Sequence, residues 1–324
     1  FAAVGADPAL RRRFTALADA TDQALSDVLL VDGVLAGYGV FGPSGRRDEV
    51  LVHPQDTRTG LRYGVLPWIH AISAELLSPE QAKRHLALLD EHLRAVDGAR
   101  LFDGPPPYRG GPMQIFQRAE AATFWGREIG LMYTHAHLRY AEALARVGDA
   151  SGLLRALCLV NPVGVTERIP GAEPRQSTCY YSSSDAAFTD RYDAAEHYPG
   201  SVTGEVPLQG GWRVYSSGPG LFLRLLVECL LGVTRRGPWL HLDPVLDVSL
   251  DGLVARVPLL DRLLEVTYRV SAPGYGVRSV QVNGTPVTVH PVTNRYRAAG
   301  VRLPLADLGP AVDGVTRLDV EVGS

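Results

Sequence analysis

The hydrophobic period of this 324-residue chain changes near Gly237. Up to about residue 235 apolar side chains recur at helical intervals, and beyond it they alternate with period two. A segment that buries one face as a helix cannot bury the same residues as a strand. We therefore expect a mainly α chain with a C-terminal β domain, divided into residues 1–236 and 237–324.

The helical signals are local and physical. Asp7 stands as an N-cap with Pro8 behind it, followed by Leu10, Phe14, Leu17, Ala20, Leu25 and Leu29 at near-helical spacing. Further helices are predicted over 65–77, 79–96 (capped by Ser78), 135–147, 151–159 and 219–233. The last contains "GLFLRLLVECLLGV", apolar nearly all round, which a surface helix cannot be. Its place is expected in an inner layer, so a two-layer helical barrel is favoured over a four-helix bundle. Past Gly237, "LLEVTYRV", "SVQVNGTPVTVH" and "TRLDVEV" alternate, and Asn283-Gly284 marks a hairpin. These strands predict a β-sandwich.

The net charge of −3 gives no electrostatic reason to expect nucleic acid or an anionic membrane as partner, so any anion site must be local. Cys158, Cys179 and Cys229 form no CxxC or zinc-type spacing and are expected as reduced thiols in a cytoplasmic protein. The longest apolar run is interrupted by Arg224 and Glu228 and is too short to span a bilayer. Phe1 opens the chain and no leader pattern follows it, so a portion of a longer polypeptide is expected.

Three groups of residues could carry chemistry. Ser216, Ser217 and Gly218 precede Pro219, and free amides at such a helix start, with two hydroxyls, suit phosphate, sulfate or carboxylate; an ordinary serine cap is the plainer alternative. His135 and His137 in "MYTHAH" are two apart, face different sides of a helix and cannot share one metal in the i, i+4 manner; one is expected at a pocket and the other in packing. Glu120, Glu128, Glu173, Asp185, Asp190 and Asp193 could serve sugar hydroxyls or a leaving oxygen, with solvated loop acids as the alternative. No phosphate-cradling glycine loop and no nucleophile elbow is present, and no metal site is expected.

In order, these motifs resemble glycoside hydrolase family 94, which includes cellobiose and chitobiose phosphorylases and the phosphorylase-like domain of cyclic β-1,2-glucan synthases. The order is Glu128 with Gly130 and "YTH" at Tyr133 to His135, then Gly148-Asp149, Asn161-Pro162 and Glu173-Pro174. "GGWRVYSSGPGLFLR", "LLG" and "LHLDP" follow. The resemblance covers residues 90 to 270 well and implies the C-terminal portion of the family's architecture: part of an (α/α)6 barrel followed by a β-sandwich.

The resemblance implies an inverting β-glycoside phosphorylase that uses inorganic phosphate as co-substrate, without a cofactor, and yields an α-sugar 1-phosphate from a β-linked oligosaccharide. It assigns the phosphate to His135, Ser216 and Ser217, the last standing where the family has glycine. The general acid would lie upstream, so no catalytic residue is expected within this chain. Arg118, Glu120, Trp125 and Glu128 are candidates for substrate contact, and a homodimer is compatible with the resemblance. Two alternatives stay open: a hydrolase or transglycosylase of the same architecture, and a non-catalytic carbohydrate-binding module.

Overall fold

A computed structural model describes residues 7–108, 110–113, 115–120, 126, 129–176, 181–211 and 217–323, with the side chains of Arg118 and Ser217 outside the description. Its helices are α1 (Pro8–Ala24), α2 (Val65–Ser73), α3 (Pro79–His92), α4 (Thr134–Val147), α5 (Ala150–Leu159), α6 (Val165–Arg168), α7 (Arg191–Thr203) and α8 (Ser217–Leu225). The caps are those the sequence advertises. Asp7 accepts from the Ala9 amide, Ser78 and Gln81 form a capping box, Gly148 ends α4 in the left-handed region, and Asp149 accepts from the Gly152 amide to start α5. Helix α3 stops at His92 rather than Val96 because Arg94–Ala95 turns back to pair with Gly98–Ala99.

Helices α2, α4 and α8 are launched from one row of extended segments. Gly64 bridges Phe102, Arg100 bridges Met132, Tyr133 bridges Ser183, and Ser184 pairs with Gly210. Alternate members of that row lead into helices: Gly64 caps α2 and Tyr133 caps α4, while α8 begins at Ser217, six residues past Gly211. The three helices consequently run parallel. Glu75, just past α2, pairs with Arg146 at the end of α4, and Arg224 near the end of α8 pairs with Glu142.

The C-terminal third forms two sheets. The four-stranded one has the order His290–Pro291, Val301–Pro304, Trp239–Leu242, Val233–Arg236; the five-stranded one has Val254–Leu259, Arg262–Val270, Val315–Val322, Val277–Val282, Thr285–Pro286. The Asn283-Gly284 turn is a hairpin, both residues having positive φ, and Val282 faces Thr285 across it. Arg262–Val270 and Val315–Val322 pair in parallel, a long-range register with no local signal in the sequence. One continuous apolar core runs from Leu35 and α2 through α4, α5 and α8 to Leu264, Val266 and Val320 of the five-stranded sheet.

The expectation of a mainly α chain built on part of an (α/α)6 barrel and a β-sandwich is corrected by these elements. Helix makes up 37% of the structure and strand 27%, so the fold is mixed α and β. Among the described residues the helices close no ring, and short two-stranded ladders interrupt the helical part at Leu30–Leu35, Tyr38–Leu51, Arg94–Ala99 and Ser184–Gly210. Those ladders are two to five residues long, below the length at which alternation stands out from a helical background.

The apolar C-terminal helix is also less enclosed than expected. Leu225 is fully buried and Leu221 nearly so, but Leu223 is 60% exposed, and the helix changes to π geometry at Leu226–Leu230. Helix α1 buries no residue, leaving Leu10, Phe14 and Leu17 open to solvent. No helix among the described residues is long and apolar enough to cross a membrane.

Candidate anion-binding site

His135 lies in the first turn of α4 and Ser217 is the first residue of α8. Arg224 is seven residues after Ser217, Glu142 is seven after His135, and Arg224 Nη2 donates to Glu142 Oε1 at 2.7 Å. In two parallel helices that shared offset, ~10 Å of rise in each, sets the two N-termini side by side. Between them runs the Ser182–Ser184 segment, whose Ser182 carbonyl accepts from the Thr134 amide (2.9 Å) and whose Ser183 carbonyl accepts from the Gly211 amide (2.9 Å). Among the described residues no side chain caps α4, and the positive ends of the two helix dipoles come together at one place. Such an arrangement attracts an anion.

The two histidines have separate fates. His137 is fully buried: its Nδ1 accepts from the Ala99 amide at 3.0 Å and its Nε2 faces the Ala156 carbonyl at 2.8 Å, so it is a neutral structural imidazole with its proton on Nε2. Burial lowers its pKa, against the Ala156 hydrogen bond and Asp97. His135 is half-buried beside Tyr133. Burial, then the Arg139 guanidinium and the His70 imidazole, hold it below the usual histidine range. It is neutral at pH 7, able to donate one N–H to an oxyanion.

Structure adds residues that sequence reading passed over. His135, Arg139, Glu142 and Arg146 recur at i, i+4, i+7 and i+11 along one face of α4, a polar stripe legible in the helical spacing itself. His70, on α2, joins it from 65 residues upstream with no motif to announce it; desolvation first and Arg139 second lower its pKa, while Glu142 opposes them. Arg175, directly after Glu173-Pro174, donates to Ser184 Oγ and to the Gln209 carbonyl, each at 3.2 Å, and lies over the Tyr181 ring. It braces the segment between the two helix starts.

The remaining candidates divide. Ser216, Trp125 and Glu128 lie outside the described residues, as do the side chains of Ser217 and Arg118. Pro219 is third rather than first in α8, since Ser217 and Gly218 are already helical; proline is tolerated throughout a first turn, whose amides have no intrahelical acceptor. Glu120 is buried, and its Oε1 accepts from the amides of Ile115 (2.6 Å) and Phe116 (2.8 Å), which closes the loop beside a 260 Å³ cavity lined by Arg58 and Tyr108. Asp190 caps α7, Asp193 binds Thr189 and His197, and Glu173 accepts from Gln209. Asp185 accepts from Ser183 Oγ at 2.6 Å in a space where a Cβ on Gly126 would collide with its carboxylate. Cys158 and Cys229 are free, burial pushing the Cys229 thiol up to about 12, while Cys179 lies outside the described residues.

No protein-family model matches the chain. Its relatives nevertheless bear out the resemblance read from the motifs: the chain is related to a portion of the glycoside hydrolase family 94 proteins. Over 283 residues, 87% of this chain, it is 38% identical to the 1,2-beta-oligoglucan phosphorylase of Listeria innocua serovar 6a. The cyclic beta-(1,2)-glucan synthase NdvB of Rhizobium meliloti is 30% identical over 145 residues, 45% of this chain. The chain spans about a quarter (26%) of the length of the first relative and 4% of the second.

Proposed function

We propose that this chain is the phosphate-binding portion of an inverting phosphorylase that cleaves β-1,2-linked glucan with inorganic phosphate. The observation that carries the reading is the pair of parallel helix starts holding His135 and Ser217, a seat for a dianion in a protein whose overall charge would not attract one. The name of the Listeria relative supplies the linkage.

Phosphate held there takes the position that water has in an inverting glycosidase. One of its oxygens attacks the anomeric carbon from the face opposite the departing sugar. The glycosidic C–O bond breaks, its electron pair stays on the leaving oxygen, and a carboxylic acid outside this chain's own site residues protonates it. The product is an α-sugar 1-phosphate. Neutral His135 donates a hydrogen bond to phosphate, and the hydroxyls of Ser216 and Ser217 add theirs. Arg118, Glu120, Trp125 and Glu128 remain the candidates for sugar contact. In this reading residues 1–236 carry the site, 237–324 support the far ends of its helices, no cofactor takes part, and the cytoplasm is the compartment.

Phosphorus NMR of the full-length protein with β-1,2-glucan oligosaccharides and inorganic phosphate tests the reading beside a His135→Ala variant. A sugar 1-phosphate signal that is lost in the variant is the expected result. Sugar release with no phosphate consumed would replace it with the hydrolase reading that Ser217, in place of the family's glycine, favours.

A further inference from the structure

The far ends of α4 and α8 meet the outer face of the four-stranded sheet around a cavity of 460 Å³. It is separate from the site above: Arg146, on its wall, lies eleven residues beyond His135 on the same helix, ~16 Å along the axis. Five arginines line it, at 146, 224, 236, 297 and 302, against the three carboxylates Glu142, Glu228 and Asp243.

Most of these charges are already occupied. Arg224 bonds both Glu142 and Glu228, Arg297 grips Asp243 through two bonds of 2.8 and 3.0 Å, and Arg146 reaches Glu75. Arg146 also sits in the last turn of its helix, where a cation offsets the negative end of the dipole. They need no ligand. Arg236 and Arg302 have no such account: neither has a carboxylate partner among the described residues, and Arg302 Nε is buried without an acceptor.

The sheet register places these two cations on one face, on either side of the Trp239–Leu242 strand. His290, Arg302, His241 and Thr234 are directly opposed across four adjacent strands, and Arg236 is two residues along from Thr234. Opposed residues of an antiparallel pair share a face about 5 Å apart, and residues two apart on a strand share it as well. Trp239, on that face, holds the Arg302 guanidinium 4.5 Å above its ring and His290 edge-on at 5.4 Å. The alternate residues Val233, Leu240, Leu242 and Leu303 fill the core behind, so the cationic row cannot turn inward.

We infer that this cavity is a second anion site, taking a dianionic phosphate group, free or carried by a sugar, between Arg236 and Arg302. His241, in register with Arg302 and Thr234, and the Thr234 hydroxyl complete the polar floor. The cavity is large enough for a hexose attached to the phosphate.

The test is calorimetric titration of the protein at low salt with glucose 6-phosphate, inorganic phosphate and glucose, on the wild type, Arg236→Glu, Arg302→Gln and His135→Ala. Arg236 is exposed, so its reversal leaves the fold intact even if the Arg302 variant does not fold. In His135→Ala, where the helix-start site is weakened, glucose 6-phosphate, phosphate or both should still bind, with an affinity that falls at least tenfold when Arg236→Glu is added, while glucose does not bind. Comparison of the two phosphates tells whether the group is recognised free or on a sugar. Absence of binding by both, binding in His135→Ala that survives the added Arg236→Glu, or wild-type binding that is lost in His135→Ala would overturn the inference. The last outcome would leave the phosphate at the helix starts standing alone, so the two sites fail separately.

Discussion

Arg224 and Glu142, 82 residues apart in sequence, join α8 to α4 through a 2.7 Å hydrogen bond, with Arg139 holding the other carboxylate oxygen at 2.7 Å. The bond sets the register of the two helices, seven residues from His135 on one and seven from the first residue of the other. Burial alone would raise the Glu142 pKa, but hydrogen bonds from Arg224 and Arg139 lower it below the ordinary glutamate value. A depressed carboxylate pKa contributes stability above its unfolded value that is lost as pH falls through the folded one. Arg224→Met should cost about 1–3 kcal/mol at pH 7, seen in urea unfolding, and the difference from wild type should narrow below about pH 4. Equal stability at pH 7 would remove the pair from this role.

His135→Ala should weaken phosphate binding by about ten- to a hundredfold, the worth of a hydrogen bond to a charged group, without changing the melting temperature by more than a degree or two. In proton NMR its imidazole should titrate below the usual range. Arg139→Gln should move that titration upward, because removing a neighbouring cation favours protonation. An unmoved titration would show that Arg139 does not face His135.

His137→Ala should destabilise the fold by about 3 kcal/mol, since it leaves the Ala99 amide and the Ala156 carbonyl buried without partners. The sign of the pH effect follows from a lowered folded pKa. The unfolded state binds the proton first, so wild-type stability should decline as pH falls below about 6.5, and the variant should lose that slope. Gly98→Ala should mimic part of the loss: a Cβ there would lie 2.5 Å from His137 Nδ1 on a backbone with φ of 129°. Chemical denaturation across pH checks both.

Arg297 ties the end of α4 to the four-stranded sheet, its Nε donating to the Ala145 carbonyl at 3.0 Å while its fork holds Asp243. Lysine keeps the charge and loses the fork. Arg297→Lys should therefore cost about 2 kcal/mol, with hydrogen exchange rising at Gly300, whose amide donates to the same Asp243 at 2.7 Å. Unchanged exchange there would argue against the tie.

Much was legible in the chain alone because its causes are local. Asp7, Ser78, Gly148 and Asp149 each place a helix boundary through their own backbone neighbours, and Asn283-Gly284 sets its hairpin by the same means. Motif order was enough for the kinship with family 94, and the Ser216–Pro219 stretch was enough to suggest an anion, with His135 joined to it only by the resemblance. Helix α7 escaped because its buried residues, Ala194, Tyr198 and Ser201, make no apolar stripe and Pro199 interrupts it.

Only the tertiary structure decided what lies beside what. The row from Gly64 to Gly211 that makes α2, α4 and α8 parallel is held by bridges between segments tens of residues apart. So is the alignment of His290, Arg302, His241 and Thr234 across one sheet face. A period reports which face of a segment is buried; it carries no information about which other segment covers that face. That choice is made by the packing of the whole chain. It turned an expected helical barrel into a mixed fold, and two separated motifs into neighbouring helix ends.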